Sequence, residues 1–375
     1  MPVPRRERRA AAIVLAVGLM AALASAGCRS STDELAAARA GATNCIRYAA
    51  PWGDDRARGT KTRPFRTAQR LVESLRRGQT GCLRNGKYEA EGEDYVLTFP
   101  RAGTARRPIR ISSARGELAT LKGIVLVPEG SDHVALSDVR VVGDGSMNTI
   151  KVYAADTVLE DNDITNGSLG RSCVILGSDD VARASRTLVR RNLFHDCGDP
   201  ANGNKDHAVY AAHVVDGRIR GNLFVNPSGY AVHLYPNPQG AVVSNNVIDG
   251  GTDTVRGGIV IAGDDDHQPA GNIVRRNVIA FSADYNLKLE VAEGSGNVAR
   301  DNCLWEAGDE PISNSGGTLT GNVVADPGFA DRAGGDYGLG AGSGCFEVLR
   351  KDPVLRLLRA RGCAKPDRCR LPVRP

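Results

Sequence analysis

The sequence is poor in aromatic residues and in lysine. Aromatic side chains make up 5% of its 375 residues, and only 8 of the 48 basic residues are lysine. Glycine, with 44 residues, is abundant instead. Many glycines and few large rings favour numerous turns and thin layers over a few thick helices. A hydrophobic content of 41% nevertheless excludes a wholly disordered chain.

The chain also lacks a large excess of charge of one sign. Its formal net charge is +5, and residues 1–27 supply +3 of this through four arginines and one glutamate. The remaining +2 is spread evenly along the sequence. Charge therefore gives no argument for a nucleic-acid partner, and we expect none.

The N-terminus has the organisation of an export signal. A basic stretch at residues 5–9 precedes an uncharged apolar run at residues 10–24, which is short for a membrane span. Two cleavage sites compete. Ala24-Ser25-Ala26 fits a secreted protein, whereas Ser25-Ala26-Gly27-Cys28 resembles a bacterial lipoprotein box in which Cys28 is lipidated. Either site predicts an extracytoplasmic protein, and cysteine parity favours the lipid anchor at the cell surface as the only membrane attachment.

The cysteines form no CxxC pair, which argues against a zinc site. Removing Cys28 from the nine leaves eight, an even number suited to disulfides outside the cytoplasm. The eight are Cys45, Cys82, Cys173, Cys197, Cys303, Cys345, Cys363 and Cys369. Connectivity does not follow from sequence, and we predict one bridge near each end, Cys45–Cys82 and Cys363–Cys369.

One short phrase, an asparagine followed by an apolar pair, recurs along the chain. Its asparagines are Asn162, Asn192, Asn222, Asn246, Asn277, Asn302 and Asn322, with a weaker copy at Asp138. The regular spacing of these copies, with alternating apolar segments and Gly-rich turns between them, predicts a stacked coil of parallel strands. Each copy is then one rung, about 4.8 Å from the next. Asparagines in register are expected to form a structural ladder of amide hydrogen bonds.

The pattern resembles the right-handed parallel β-helix proteins of the pectate-lyase-like superfamily over roughly residues 50–328. The opening is similar too, with the motifs Gly53-Asp54-Asp55, Gly59-Thr60, Pro64-Phe65-Arg66-Thr67 and Gly86-Lys87-Tyr88. The resemblance implies an all-β, single-stranded right-handed solenoid. It also implies a capping helix over residues 66–77, because an open coil end exposes unpaired strand edges. The amphipathic spacing of Ala68, Leu71, Val72 and Leu75 agrees with this helix.

We divide the chain by composition and repeat. The predicted parts are an export signal at 1–27, a linker at 28–44, the N-terminal cap and first turns at 45–93, the parallel β-helix at 94–328, and a Gly-rich C-terminal tail at 329–375. The tail is expected to pack on the last rungs, and we expect a monomer.

The long rungs that end at Asn192, Asn222 and Asn277 are the place to look for function, because function concentrates in loops on a rigid scaffold. These rungs hold four of the six histidines, His195, His207, His213 and His267, and a fifth, His233, lies in the rung between them. His195 follows the Asn192 ladder position and is expected to be structural. Period-two alternation predicts one outward column of side chains, formed by Lys151, Ile175, Tyr210, His233, Val260 and Lys288. A neighbouring column is predicted to hold Tyr153, Tyr235 and Glu290.

A face of this kind suits a linear acidic sugar chain lying along the coil axis. The resemblance implies β-elimination, which needs a base, a group that neutralises the uronate carboxylate, and an acid for the leaving oxygen. Tyr210 and His233 are predicted to supply acid and base, or Lys288 is the base, and His207 is a further catalytic candidate. The candidate substrate contacts are Lys151, Tyr153, Asp206, His213, Tyr235 and Glu290. Calcium is a possible cofactor held by the loop carboxylates Asp264, Asp265 and Asp266, which are hard oxygen ligands.

Two other functions stay open. A polygalacturonase-type hydrolase would use paired aspartates, Gly-His-Gly and Arg-x-Lys, which Asp179-Asp180, His207 and Arg218-Ile219-Arg220 match only in part. A non-catalytic glycan-binding or structural coil is the third, since a Tyr–His pair on a sheet face is also ordinary cross-strand packing. A concave cleft around the column would favour catalysis, and a flat sheet would favour binding.

Overall fold

The structure is a computed structural model, and it describes residues 41–42, 44–90, 95–178, 183–251 and 254–349. Several sequence predictions fall outside these ranges, namely the export signal, the lipidation site Cys28, Asp179, Asp180, the Cys363–Cys369 bridge and residues 350–375 of the tail. No helix in the described ranges is long and apolar enough to cross a membrane.

The chain passes in turn through three parallel sheets, each receiving one short strand per rung. Sheet 1 contains the strands Cys45–Ala49, Thr80–Leu83, Ile109–Ser113, Val134–Ser137, Val158–Glu160, Leu188–Arg190, Arg218–Arg220, Val242–Ser244, Ile273–Arg275, Val298–Arg300 and Thr318–Thr320. Sheet 2 contains Gly86–Glu89, Ala119–Lys122, Arg140–Val142, Asp163–Thr165, Leu193–Cys197, Leu223–Pro227, Val247–Asp249, Val278–Ser282, Cys303–Ala307 and Val323–Val324. Sheet 3 contains Tyr95–Thr98, Ile124–Val127, Ile150–Val152, Val174–Leu176, Val209–Ala211, Tyr230–Leu234, Gly257–Ala262, Leu287–Glu290 and Ile312–Asn314. The predicted all-β parallel β-helix is therefore confirmed.

The core is a set of apolar columns enclosed by the three sheets. Inward side chains of successive rungs lie directly above one another, as Phe194 and Phe224 do with ring centroids 4.8 Å apart. Val209, Val232 and Ile259 form such a column on the inner face of sheet 3, and all three are fully buried. Each buried aliphatic side chain contributes about 1.5–3 kcal/mol to stability.

The predicted asparagine ladder runs along the turn between sheets 1 and 2, and its bonds repeat from rung to rung. Asn192 donates through its backbone N and its Nδ2 to Asn222 Oδ1, at 2.9 and 3.0 Å, and through Nδ2 to Leu159 O at 3.0 Å. The residue before each ladder asparagine has a positive φ. These residues are Asp161, Arg191, Gly221, Asn245, Arg276, Asp301 and Gly321. The left-handed residue leaves backbone N–H and C=O groups of the turn without a strand partner. The asparagine side chains thus form hydrogen bonds with these groups.

The ladder position predicted for Asp138 is wrong by one residue. Strand pairing places Arg140 opposite Asp163, so Val139 occupies the rung position of Asn162. Asp138, with φ of 55°, takes the left-handed position that Asp161 takes in the next rung. The ladder ends where the Val139 amide donates to Asn162 Oδ1 at 3.2 Å.

Sequence reasoning missed a second, shorter ladder at the turn into sheet 1. Asn272 Nδ2 donates to Asn297 Oδ1 at 2.8 Å, and Asn297 Nδ2 donates to Pro269 O at 2.8 Å. The signal was present, because Gly271-Asn272-Ile273 and Gly296-Asn297-Val298 repeat the same phrase one turn earlier in the rung.

Asn222→Ala is expected to destabilise the protein by about 2–4 kcal/mol, because the buried Asn192 amide and Val189 carbonyl each lose a partner. Urea unfolding measures the change. Asn85→Ala, at an exposed position, is the matched control and should change stability by less than about 0.5 kcal/mol. Equal stability of the two variants would contradict a supporting role for the ladder.

A short helix covers the N-terminal end of the coil, as predicted, although it spans Ala68–Glu73 rather than residues 66–77. Thr67 begins it, with its Oγ1 accepting from the Arg70 amide at 3.1 Å. Leu71 in the helix and Leu75 just after it are fully buried. They approach Gly81 so closely that a Cβ there would lie 2.9 Å from Leu71 Cγ.

Three disulfides lie within the described ranges. Cys45–Cys82 confirms the prediction for the first turns, and the others are Cys173–Cys197 and Cys303–Cys345. Cys303–Cys345 ties the segment after the last rung to sheet 2. The hairpin Phe329–Asp331 and Asp336–Leu339 lies on the same side, where Tyr337 Oη donates to Asp249 Oδ2 at 2.8 Å.

Candidate functional site

The predicted outward column is present on sheet 3 with the predicted register. Strand pairing aligns Lys151, Ile175, Tyr210, His233, Val260 and Lys288 in consecutive rungs. Tyr210 and His233 are direct neighbours, with ring centroids 5.3 Å apart. Lys288 lies two rungs from His233, which corresponds to about 10 Å along the coil axis.

The central feature of this face is a hydrogen-bonded pair of histidines. His207 Nε2 lies 2.8 Å from His233 Nδ1. The other nitrogen of the first ring, Nδ1, accepts from the Tyr230 backbone N–H at 3.1 Å. Gly229 permits this close approach, since a Cβ there would lie 2.7 Å from His207 Nδ1. A backbone amide therefore anchors one end of the pair.

This anchor determines the tautomers of both rings. Because the Tyr230 amide donates to His207 Nδ1, that nitrogen carries no proton, and the proton of the neutral ring is on Nε2. His207 Nε2–H then donates to His233 Nδ1, which leaves the proton of His233 on its Nε2. No partner for that Nε2 occurs in the described part of the chain, and His233 lines the groove. His233 is thus presented to the groove as a neutral N–H donor.

Burial keeps both rings uncharged. Burial lowers the pKa of His207 to about 3. Burial together with the neighbouring His207 lowers the pKa of His233 well below its ordinary value. The surrounding tyrosines supply this environment, with Tyr230 and Tyr235 at 5.3 and 5.2 Å from the His233 ring between centroids.

These side chains line a concave cavity of about 460 Å³, so the column does not lie on a flat sheet. The lining consists of Asn204, Lys205, His207, Tyr210, Tyr230, His233, Tyr235, Val260, Ala262, Gly263 and Glu290. Sequence reasoning missed Tyr230, Asn204 and Lys205. Lys205 had a usable signal, because lysine is rare in this chain and this one stands in a long rung.

The loop before His207 forms one wall of the cavity. Asp206 is buried, and its Oδ2 accepts from the Asp199 amide at 3.1 Å and from Asn202 Nδ2 at 2.8 Å. Asp206 therefore organises this loop and does not line the main cavity. Lys205 also lines a second cavity of about 380 Å³ toward the earlier rungs, together with Arg171 and Asp206 itself.

Lys288 is held as a cation by its neighbour on the same strand. Its Nζ lies 2.8 Å from Glu290 Oε1 and 5.4 Å from the centre of the Tyr285 ring. Partial burial opposes its charge, but the hydrogen bond and charge of Glu290 outweigh this and raise the pKa of Lys288. A protonated lysine suits recognition of a carboxylate better than removal of a proton.

The structure does not bring Lys151, Tyr153 and His213 to the histidine pair. Lys151 lies three rungs from His233, with Nζ 3.4 Å from Tyr95 Oη and over the Tyr153 ring at 5.9 Å. His213 is buried after the end of strand Val209–Ala211, where its ring contacts His267 edge-on at 5.5 Å. These three residues stay candidates for contact with a longer sugar chain only.

The proposed calcium loop has its first carboxylate, that of Asp264, engaged in a turn. Asp264 Oδ1 accepts from the amides of Asp266 and His267, at 3.1 and 2.7 Å, and lies 3.0 Å from His267 Nδ1. Asp265 and Asp266 are exposed. Within the described ranges no group of three or more potential metal ligands occurs. The residues thus form no preassembled site, calcium binding stays a prediction, and no step below depends on it.

The parts of the polygalacturonase-like pattern lie on different sheets. Arg218 and Arg220 belong to sheet 1, whereas His207 precedes a strand of sheet 3 and is hydrogen-bonded to His233.

His195 lies on sheet 2, where its ring nitrogens contact Asp163 Oδ1 at 3.0 Å and Asp196 Oδ2 at 2.8 Å.

Comparisons with known proteins identify the fold. No protein-family model matches the sequence, and no curated protein matches it. The structure is similar to pectate lyase Pel9A, with a TM-score of 0.60 and 14% identity over 81% of this chain and 91% of that one. It is also similar to a rhamnogalacturonan lyase, with a TM-score of 0.55 and 13% identity over 84% and 99%. A complex of XylC with xylose gives a TM-score of 0.50 and 11% identity over 70% and 69%. At these identities the likeness shows the fold alone, a parallel β-helix.

Proposed function

We propose that this protein is an extracytoplasmic polysaccharide lyase that cleaves a uronate-containing glycan by β-elimination. The observation that carries the proposal is the Tyr210–His233 pair, set in a concave cavity with His233 oriented by His207 and the Tyr230 amide. Two structurally similar proteins are by name a pectate lyase and a rhamnogalacturonan lyase, which supports the same chemical class.

The chemistry assigns different work to the two side chains. In the reaction, a base takes the proton beside the uronate carboxylate, a carbon–carbon double bond forms, the glycosidic C–O bond breaks, and the leaving oxygen takes a proton. His233 offers an N–H, so it suits the carboxylate or the oxygen on which charge develops. Tyr210, adjacent to it, is then the group that moves the proton. Its hydroxyl can accept a proton as phenolate and return it to the leaving oxygen.

Two cations for an acidic sugar stand in the cavity wall and along the same sheet. Lys205 lines the cavity wall, and Lys288 stands about 10 Å along the coil axis from His233. Both are positioned to neutralise carboxylates of neighbouring sugars in a chain that runs along the axis. The aromatic faces of Tyr210, Tyr230 and Tyr235 supply apolar area for sugar rings.

The test is a product analysis of the purified protein on polygalacturonate and on alginate, with dextran as the uncharged control. Ultraviolet absorbance of unsaturated uronate ends on an acidic polymer is the expected result. New reducing ends without unsaturation would overturn the lyase proposal in favour of a hydrolase. Binding without cleavage would overturn it in favour of a glycan-binding coil. Parallel assays with calcium and with chelator test the predicted metal, and Asp265→Asn/Asp266→Asn tests its loop.

Lys288→Gln is expected to raise KM about five- to tenfold with little change in kcat, because one carboxylate contact to a neighbouring sugar is lost. Glu290→Gln is the matched control, since it removes the partner and leaves the cation free for substrate. Steady-state kinetics across pH separates the two roles. A kcat loss of more than about 100-fold at unchanged KM would instead make Lys288 the base.

A further inference from the structure

A second charged surface lies on sheet 1, away from the cavity. The outward column nearest the asparagine ladder carries Glu160, Arg190, Arg220, Ser244, Arg275 and Arg300 in consecutive rungs. Arg218 points outward two residues before Arg220, and Arg276 follows Arg275 in the turn. Although the net charge of the whole chain is small, the repeat therefore gathers arginines on one face.

The carboxylates on this face neutralise only its ends. Glu160 and Asp161 pair with Arg190 and Arg191 at one end, and Asp301 pairs with Arg300 at 2.8 Å at the other. Between them stand Arg218, Arg220, Arg275 and Arg276, which we name the arginine cluster. The side chains of these four form no ion pair or hydrogen bond with any residue in the described ranges.

Arg275 shows the consequence of this arrangement. Its Nε is buried and has no hydrogen-bond partner in the described structure. Burial and the repulsion of Arg300, Arg276 and Arg218 lower its pKa. A buried donor without a partner and a set of like charges are both unfavourable in the free protein. An anion bound between these guanidinium groups would relieve both.

We propose that the arginine cluster is a second binding site for an acidic glycan, which holds a carboxylate-bearing polymer on sheet 1 independently of the cavity on sheet 3. The cations follow the coil axis, with Arg220 and Arg275 two rungs or about 10 Å apart. The small residue Ser244, which is buried, separates them in the column. A row of planar guanidinium forks suits bidentate recognition of carboxylates on a linear chain. This inference rests on the proposed function only for the class of ligand.

The test compares two double variants that remove the same charge. Arg220→Gln/Arg275→Gln removes the cluster centre. Arg106→Gln/Arg110→Gln is the control, because both residues are exposed and Arg110 occupies the same outward column as Arg218, four rungs earlier. Affinity for alginate and for polygalacturonate is measured in an otherwise His233→Ala protein at two salt concentrations, so that turnover plays no part.

The cluster variant is expected to lose about tenfold in affinity and to show a weaker salt dependence, whereas the control stays within about twofold. Its thermal stability is expected to be unchanged or higher, because repulsion at Arg275 is relieved. Equal affinities of the two variants, or an equal loss in both, would overturn the inference. So would a loss confined to vesicles of phosphatidylglycerol and phosphatidylcholine with alginate binding intact. Lyase activity in the wild type with unaffected binding in the cluster variant would reject this site alone.

Discussion

Tyr210→Phe is expected to lower kcat for uronate-glycan cleavage about 10²–10⁴-fold while KM changes less than about threefold, since it removes only the hydroxyl that moves the proton. The ring keeps its contacts with His207 and His233, at 5.6 and 5.3 Å between centroids. Substrate packing against the ring should therefore survive. The measurement is steady-state release of unsaturated ends from the polymer that the wild type cleaves.

The control for this loss is Tyr48→Phe, which makes the same change on the strand Cys45–Ala49 of sheet 1, outside the cavity. It should retain wild-type kcat and KM. His233→Ala should show a loss comparable to that of Tyr210→Phe. If Tyr210→Phe kept more than about a tenth of wild-type kcat while His233→Ala was inactive, the proton transfer would belong to another group.

In the proposed reaction His207 acts through His233 as a positioning residue, so its variants give a further readout. Gln carries an acceptor and a donor and can take the bonds to the Tyr230 amide and to His233 Nδ1. Leu can take neither. His207→Gln is therefore expected to keep kcat within about tenfold of wild type, and His207→Leu to lose about 100-fold or more. Equal losses in both variants would show that packing, and not orientation of His233, is what His207 supplies.

The second large effect is an acid-sensitive stability. The pKa of His207 is lowered to about 3, and that of His233 lies well below 6.5, whereas an unfolded histidine titrates near 6.5. Below that pH the unfolded chain binds more protons than the folded one. The free energy of unfolding should therefore fall as pH decreases from about 7 toward 3. Each buried ring contributes up to about 1.4 kcal/mol per pH unit.

The opposite sign applies to His195. Burial opposes its charge, but Asp163 and Asp196 outweigh burial and raise the pKa of His195 to about 9. Its contribution to stability is complete below pH 6.5 and is lost as pH rises through 9. Urea unfolding across pH 4–10 should accordingly show a maximum near about pH 6–7.

Two variants separate the branches of this profile. His207→Gln should flatten the acid branch, and His195→Gln should flatten the alkaline branch. Carboxylates also titrate in all three proteins, so the result is read from the differences between the profiles. Parallel profiles for the wild type and His207→Gln would show that folding does not lower the pKa of His207. The His207 ring would then be protonated in the folded protein at acidic pH, which would contradict the neutral histidine pair.

Much of the site could be predicted from the repeat, because each repeat of the sequence corresponds to one rung of the coil. Once the asparagines define one rung, period-two alternation decides which side chains point outward, and Tyr210 and His233 must then be neighbours. The slip at Asp138 shows the limit of the method. A copy without asparagine offers no anchor, and only the pairing of Arg140 with Asp163 gave its register.

The side chains that come from turns could not be predicted in the same way. His207 precedes its strand, and its ring reaches across one rung to His233 because Gly229 allows the Tyr230 amide to approach. Lys205 lines the cavity because buried Asp206 folds the preceding loop back on itself. Loop residues have no period, so their positions depend on contacts that the sequence does not order.

The sequence by itself determined the parallel β-helix and the outward column on sheet 3, because local alternation and a repeating rung are sufficient for both. The capping helix followed from the family resemblance together with its amphipathic spacing, and the Cys45–Cys82 bridge was a prediction that the repeat does not supply. Only the tertiary structure decided that His207 and His233 form one neutral pair, that Lys151 and Lys288 lie in separate surroundings, and that four arginines stand together without partners among the residues that the structure describes. The physical reason is that burial, tautomer and charge balance depend on which rungs and loops meet in space.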